Sequence, residues 1–241
     1  MPSRNAVLAR ASVFLIVIVL GVGLFTYFSV KGVGDRDIAP TSVSIFPTPT
    51  QALFYDTFLD NRNAWGLSNH GGYLREIANN RLVLTNTNPQ TTLIESLPNE
   101  QIYGDFTVTI TFAMLQGDAN DSVGIYVRGD SNLDHDYRIE ISGDETFDSA
   151  KEFLDMHSKQ QVQLLDGPRH ITSLLSPGQL NTLKATLQGT MLSVSINNTL
   201  ISTVSDADYA SGQVTLFVRH GSTSSGVTMS VSEIEIDTIG L

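Results

Sequence analysis

Between Asp105 and Met114 apolar and polar side chains alternate: Phe106, Val108, Ile110, Phe112 and Met114 take one side, Thr107, Thr109 and Thr111 the other. A period of two puts successive side chains on opposite faces of an extended chain, so the segment predicts an antiparallel strand with one buried face. The same period recurs at Val123, Ile125, Val127; at Tyr137, Ile139, Ile141; at Leu183, Ala185, Leu187; at Leu192, Val194, Ile196; and at Val214, Leu216, Val218. Turn-forming residues separate these runs, among them Gly117-Asp118-Ala119-Asn120-Asp121, Gly129-Asp130-Ser131-Asn132, Gly143-Asp144, Gly189-Thr190 and Asn197-Asn198. In Gly226–Ile236 the apolar set changes parity, from Val227, Met229, Val231 to Ile234, Ile236, which predicts a β-bulge near Ser232-Glu233. Weaker strand patterns cover Leu53–Phe58, Arg81–Thr85, Thr91–Ser96, Phe147–Leu154 and Gln161–Leu165. About a dozen short strands, with no comparable helical period, predict an all-β antiparallel sandwich of jelly-roll size over residues 52–241.

The first fifty residues follow another pattern. Ala11 to Val30 holds no charged residue, and twenty helical residues at about 1.5 Å each span the ~30 Å hydrocarbon core of a bilayer. The segment predicts one transmembrane helix at 11–30 behind a cytoplasmic tail at 1–10. Arg4, Arg10 and the terminal amine precede it, whereas Lys31 and Arg36 are accompanied by Asp35 and Asp37. That bias places the N-terminus in the cytoplasm and the remaining chain outside the cell membrane. A cleaved signal peptide is the competing reading, but Phe25-Thr26-Tyr27-Phe28 is a poor approach to a cleavage site. Residues 31–51, with Pro40, Pro47 and Pro49 among Thr and Ser, read as a stiff, extended linker.

Charge and cysteine narrow the chemistry. Residues 38–241 carry 10 Lys and Arg against 23 Asp and Glu, a net charge of −13, with no basic cluster. Nucleic acid is thereby excluded as an expected partner. The absence of cysteine removes disulfides, thiolate metal sites and thiol nucleophiles. Five histidines, at 70, 135, 157, 170 and 220, have no metal-ligand spacing.

A series of short segments resembles a known fold family. It runs from Phe54-Tyr55-Asp56-Thr57-Phe58 and Trp65, through Asp105-Phe106, Gly124-Ile125-Tyr126-Val127-Arg128 and Tyr137-Arg138-Ile139-Glu140-Ile141. It continues through Asn181-Thr182-Leu183-Lys184-Ala185, residues 192–198 and Gly212-Gln213-Val214-Thr215-Leu216. This order resembles the concanavalin A-like lectin/glucanase superfamily, in particular its laminin-G-like and keto-disaccharide-hydrolase-like domains. The resemblance implies two curved sheets with ligands on the concave face or its rim. Laminarinase-type members carry Glu-x-Asp-x-Glu or Glu-x-Asp-x-x-Glu on one strand, a motif this sequence lacks. Its nearest string, Glu233-Ile234-Glu235-Ile236-Asp237, reads as surface charge alternating with core isoleucine.

The expectation is therefore a lectin-like module that binds a glycan or another cell-envelope component without catalysis. Its candidate residues are Tyr126, Arg128, Arg138 and Glu140. If the two strands carrying them are neighbours, a ring, two guanidiniums and a carboxylate share one face, the mixture that holds sugars. An ordinary sheet surface with cross-strand Arg–Glu pairs is the plainer reading of the same residues. Two alternatives stay open. One is a glycoside hydrolase using Glu140 with Asp136 or Glu152; the other is a structural or sensory ectodomain contacting protein partners. No cofactor is expected. A calcium ion at an acidic loop, Asp118, Asn120, Asp121 or Asp130, Asp134, Asp136, is a minority expectation that matches no complete calcium motif. Trp65 is expected in the core or as a plug at a strand edge, rather than as a sugar platform.

Overall fold

The computed structural model describes residues 52–221 and 224–239, which are strand, turn and loop throughout. The expected membrane span at 11–30 and linker at 31–51 lie outside the described residues. Fifteen described strands, rather than about a dozen, form two sheets. The nine-stranded sheet runs β13 (Thr199–Ser205), β12 (Met191–Ile196), β11 (Asn181–Gln188), β6 (Phe106–Gln116), β15 (Val227–Thr238), β4 (Leu82–Asn86), β3 (Tyr73–Ile77) and β2 (Ser68–His70), while β1 (Ala52–Asp56) also pairs with β15. The six-stranded sheet runs β10 (Gln160–His170), β9 (Thr146–Leu154), β8 (Asp136–Ser142), β7 (Ser122–Gly129), β14 (Gln213–His220) and β5 (Thr91–Ser96). Their pairings are all antiparallel.

The alternating apolar residues of both sheets face each other and form the core. Phe106, Val108 and Ile110 of β6, Leu183, Ala185 and Leu187 of β11 and Val194 and Ile196 of β12 meet Val123, Ile125, Val127, Ile139, Ile141, Leu216 and Val218 of the other sheet. Full burial of each such aliphatic side chain stabilises the fold by about 1.5–3 kcal/mol before chain entropy is set against it. Trp65 joins this core, and its Nε1–H donates to the buried Asp56 carboxylate at 2.7 Å. That bond satisfies the one polar group of the ring.

The parity change in β15 is a bulge. Its pairing with β6 skips Ser232, so Val231 faces Phe112 and Glu233 faces Thr111. The bulge lets one strand bury Val227, Met229 and Val231 and then Ile234 and Ile236. It also divides the far side of β15, which pairs with β4 through Val231 and with β1 from Ile234.

Strands β2, β3 and β13 have weak sequence patterns because they sit at or near a sheet edge and bury little. All three residues of β2 are exposed, and β13 buries only Ser202.

The other sheet has the feature that bears on function. Every residue of β7, and every residue of β8 from Asp136 to Ile141, is buried. A strand with one apolar face and one solvated face would show alternating burial. Here the second face is buried as well, and it is charged.

Candidate functional site

Register determines which side chains share this second face. On β8, Asp136, Arg138 and Glu140 stand at alternate positions, opposite Glu152, Ala150 and Asp148 of β9. On β7, Tyr126 faces Arg138 and Gly124 faces Glu140. Next to them on β14 lie Thr215, Phe217 and Arg219, opposite Tyr126, Gly124 and Ser122. Small residues make room for large ones. Ala150 leaves space beside Arg138, and a Cβ on Gly124 would stand 2.8 Å from the Phe217 ring. Phe217 therefore lies under Tyr126, with ring centroids 4.8 Å apart.

Arg138 is the hub. Its Nη1 donates to Glu152 Oε1 at 2.5 Å and its Nη2 to Asp148 Oδ1 at 3.2 Å. Its Nε approaches Glu140 Oε2 at 2.7 Å, as an ion pair without hydrogen-bond alignment. Burial alone would lower the guanidinium pKa, but Glu140, Glu152 and Asp148 together raise it. Arg219 is the second cation. Its Nη1 reaches both oxygens of Glu140 at 3.0 Å, its Nη2 donates to the Tyr126 hydroxyl at 3.4 Å, and its guanidinium lies over Phe217. Ser122 donates its hydroxyl to Glu140, and Gln160 donates to Glu152 at 3.3 Å.

The carboxyl groups sit in unlike environments. Asp148 is pushed up, by burial first and then by Glu140, against the pull of Arg138. Asp136 is fully buried, and neither of its oxygens has a hydrogen-bond partner among the described residues. Burial, followed by the charges of Glu152 and Asp130, raises its pKa to about 8. The Tyr126 hydroxyl is held up at about 12, again by burial first and then by Glu152. A buried carboxyl that is strongly shifted and unsatisfied, on a polar face, marks a candidate site on physical grounds.

Of the four residues singled out from the sequence, Tyr126, Arg138 and Glu140 share this face, and Arg128 does not. A register shift opposite Gln213 and Val214 drops Arg128 out of the pairing, and its φ of 52° is left-handed. Its guanidinium instead donates to the carbonyls of Gly104, Gly189 (2.8 Å) and Tyr209 (3.1 Å) and pairs with Asp105 at 2.9 Å. Three loops are tied by one buried cation. Arg128→Ala is expected to lower stability by about 2–3 kcal/mol, because buried acceptors lose their donor. Urea denaturation measures this, and a loss below about 0.5 kcal/mol would mean that the loops hold without it.

Asp136 and Glu152, each named with Glu140 in the hydrolase alternative, stand on the same face. Asp148, Arg219, Ser122 and Phe217 were missed, although each follows the alternation of its own strand. The acidic loops tie turns. Asp121 accepts from the Asp118 and Gly221 amides at 2.7 and 2.8 Å, and Asp130 accepts from the Asp134 amide and pairs with His135. Among the described residues no three His, Asp or Glu side chains converge on a metal-sized site.

No protein-family model and no curated protein matches this sequence. Solved structures match its fold. The catalytic domain of an endo-1,3-β-glucanase (laminarinase) from Thermotoga petrophila aligns with a TM-score of 0.57 at 8% identity, covering 80% of this chain and 99% of that one. Carbohydrate binding module CBM66 from Bacillus subtilis aligns with a TM-score of 0.50 at 12% identity, covering 77% and 96%. A protein of unknown function with a galectin-like fold, also from Bacillus subtilis, aligns with a TM-score of 0.56 at 11% identity, covering 78% and 97%. At these identities the likeness establishes the fold, a jelly-roll sandwich shared by binding modules and glucanases.

Proposed function

We propose that this chain is a glycan-binding module, held at the outer face of the cell membrane by residues 11–30, with its ligand on the charged face of the six-stranded sheet. One observation carries the reading: Tyr126, Arg138, Arg219 and four carboxylates are gathered on a sheet face that no core requirement demands. Such a face costs desolvation energy that an apolar or solvated one would not, and a ligand offers a return for it. Its accessible margin is formed by the side chains of Arg219 and Asp148, 30% and 20% exposed. Guanidinium and carboxylate groups hold vicinal hydroxyls in bidentate fashion. The kinship in fold with a carbohydrate binding module supports the reading.

The test is a glycan-array screen of the full chain in detergent micelles, followed by titration of any hit. Arg219→Ala is expected to weaken binding about tenfold, equivalent to about 1.4 kcal/mol. Binding unchanged in that variant would move the ligand off this face, and a blank array would remove the glycan reading.

The hydrolase reading is favoured by one observation, the buried Asp136 carboxyl without a hydrogen-bond partner among the described residues, standing opposite Glu152. Burial pushes the Asp136 carboxyl up to about 8, and a carboxyl that keeps its proton next to a second acidic side chain can serve as a general acid. Release of new reducing ends from a bound oligosaccharide, abolished by Glu152→Gln, would establish it. A bound oligosaccharide left intact would exclude it.

A further inference from the structure

The charged face holds more acid than its own bases neutralise. Asp136, Glu140, Asp148 and Glu152 stand against Arg138 and Arg219, four acidic groups to two guanidiniums, with Asp136 holding its own proton at rest. We infer that the missing cation comes from the ligand: the face takes a glycan bearing free primary amines, with one ammonium seated between Asp136 and Glu152. This rests on the glycan-binding reading and names its substrate class.

Every nearby cation among the described residues is already engaged. Arg138 is shared by Glu140, Asp148 and Glu152, and Arg219 is held by Glu140. Lys151, between Ala150 and Glu152 on β9, points to the opposite face and pairs with Asp206 and Asp208. Arg128, next to Asp136 across the register shift, is bound to backbone carbonyls. Among the described residues Asp136 is left with two unpartnered oxygens, directly opposite Glu152. An ammonium group is compact, carries three donors and can serve both carboxylates at once. An acetamide at the same place has one N–H and no charge, so it cannot draw Asp136 into its ionised form. The surplus of 13 negative charges over residues 38–241 also steers a polycationic chain toward the domain.

A protonation signature follows. Asp136 is faced by Glu152 from β9, Arg138 from β8, and Asp130 and Asp134 from the β7–β8 turn, and its carboxyl keeps a proton to about pH 8. An ammonium placed against it favours the carboxylate, so binding near pH 7 expels that proton.

The experiment is isothermal titration of the full chain in micelles, in about 0.15 M salt to damp long-range attraction. The probes are a glucosamine tetramer, its N-acetylated counterpart and a glucose tetramer. The expected result is at least tenfold tighter binding of the free amine, with proton release read from two buffers of different ionisation heat. Asp136→Asn and Glu152→Gln are each expected to shrink the preference below threefold, and Asp136→Asn to abolish proton release. Glu76→Gln, on β3 of the other sheet, is expected to leave both unchanged. Circular dichroism of each variant separates lost binding from lost folding. A preference that persists in both site variants, or falls equally in Glu76→Gln, overturns the inference. Equal or tighter binding of the neutral tetramers overturns it while the glycan reading stands; if no tetramer binds, both fall.

Discussion

Asp136→Asn is expected to stabilise the protein at pH 8 and to leave it nearly unchanged at pH 4. In the folded chain the Asp136 carboxyl titrates at about 8, raised from 3.8 by burial and by Glu152. Between those values the native state holds a proton that the unfolded chain has released. Stability therefore falls as pH rises through that window: the contribution of the bound proton is complete below about pH 4 and gone above about pH 8. At about 1.36 kcal/mol per unit, with allowance for coupling to Glu152 and Arg138, the parent loses on the order of 3–5 kcal/mol across the window. Asparagine has nearly the same shape and no proton to lose, so the variant avoids this loss. Its urea midpoint at pH 8 should exceed the parent's by about 1–2 M. Other groups also shape the parent's own profile. Glu95 and Asp148 are shifted upward, Asp130 and Asp206 downward. The difference between variant and parent removes them. A difference that does not change with pH would show that Asp136 is ionised in the native protein.

Arg138→Ala has the opposite sign and a comparable size. Three acids now share its guanidinium, Glu140, Asp148 and Glu152 at 2.7, 3.2 and 2.5 Å; its loss strands Asp148 and Glu152, while Glu140 keeps Arg219. Removing one partner of a buried ion pair typically costs about 3–5 kcal/mol, because the remaining charge stays desolvated. The deficit should shrink as pH falls toward about 4, since the stranded carboxyls then take up protons and lose the charge that repels them. Arg138→Met separates charge from packing, because it keeps most of the volume. Both variants should be destabilised at pH 7 and both should recover toward pH 4 in chemical denaturation. A loss confined to the alanine variant, or one independent of pH, would show that Arg138 acts as filler.

These expectations depend on knowing which strands are neighbours, and here the sequence was legible to different depths. Strict alternation located the strands that carry the core, and the parity change in Gly226–Ile236 located the β15 bulge, because core burial demands an apolar residue at every second position. Short, exposed strands such as β2 bury nothing and leave no pattern. The pairing of Tyr126 with Arg138, and of Gly124 with Glu140, follows from β7 and β8 being successive strands of one meander. Arg219 and Asp148 also lie on recognisable alternations. Their presence beside Glu140 depends on β14 inserting between β5 and β7, and on β9 pairing with β8 in one register.

Arg128 shows the limit most directly. Counting by twos assigns it to the face of Tyr126, yet a left-handed backbone and a register shift turn it to the loops. Alternation along the chain dictated which side chains turn toward the core and which away, since that is a local property of an extended backbone. Which outward-facing residues meet was settled by long-range pairing, whose hydrogen bonds join backbone to backbone and so leave little trace in side-chain identity. The burial of Asp136, and its lack of a hydrogen-bond partner among the described residues, therefore emerged only from the assembled sheet, because both depend on which strands lie beside it.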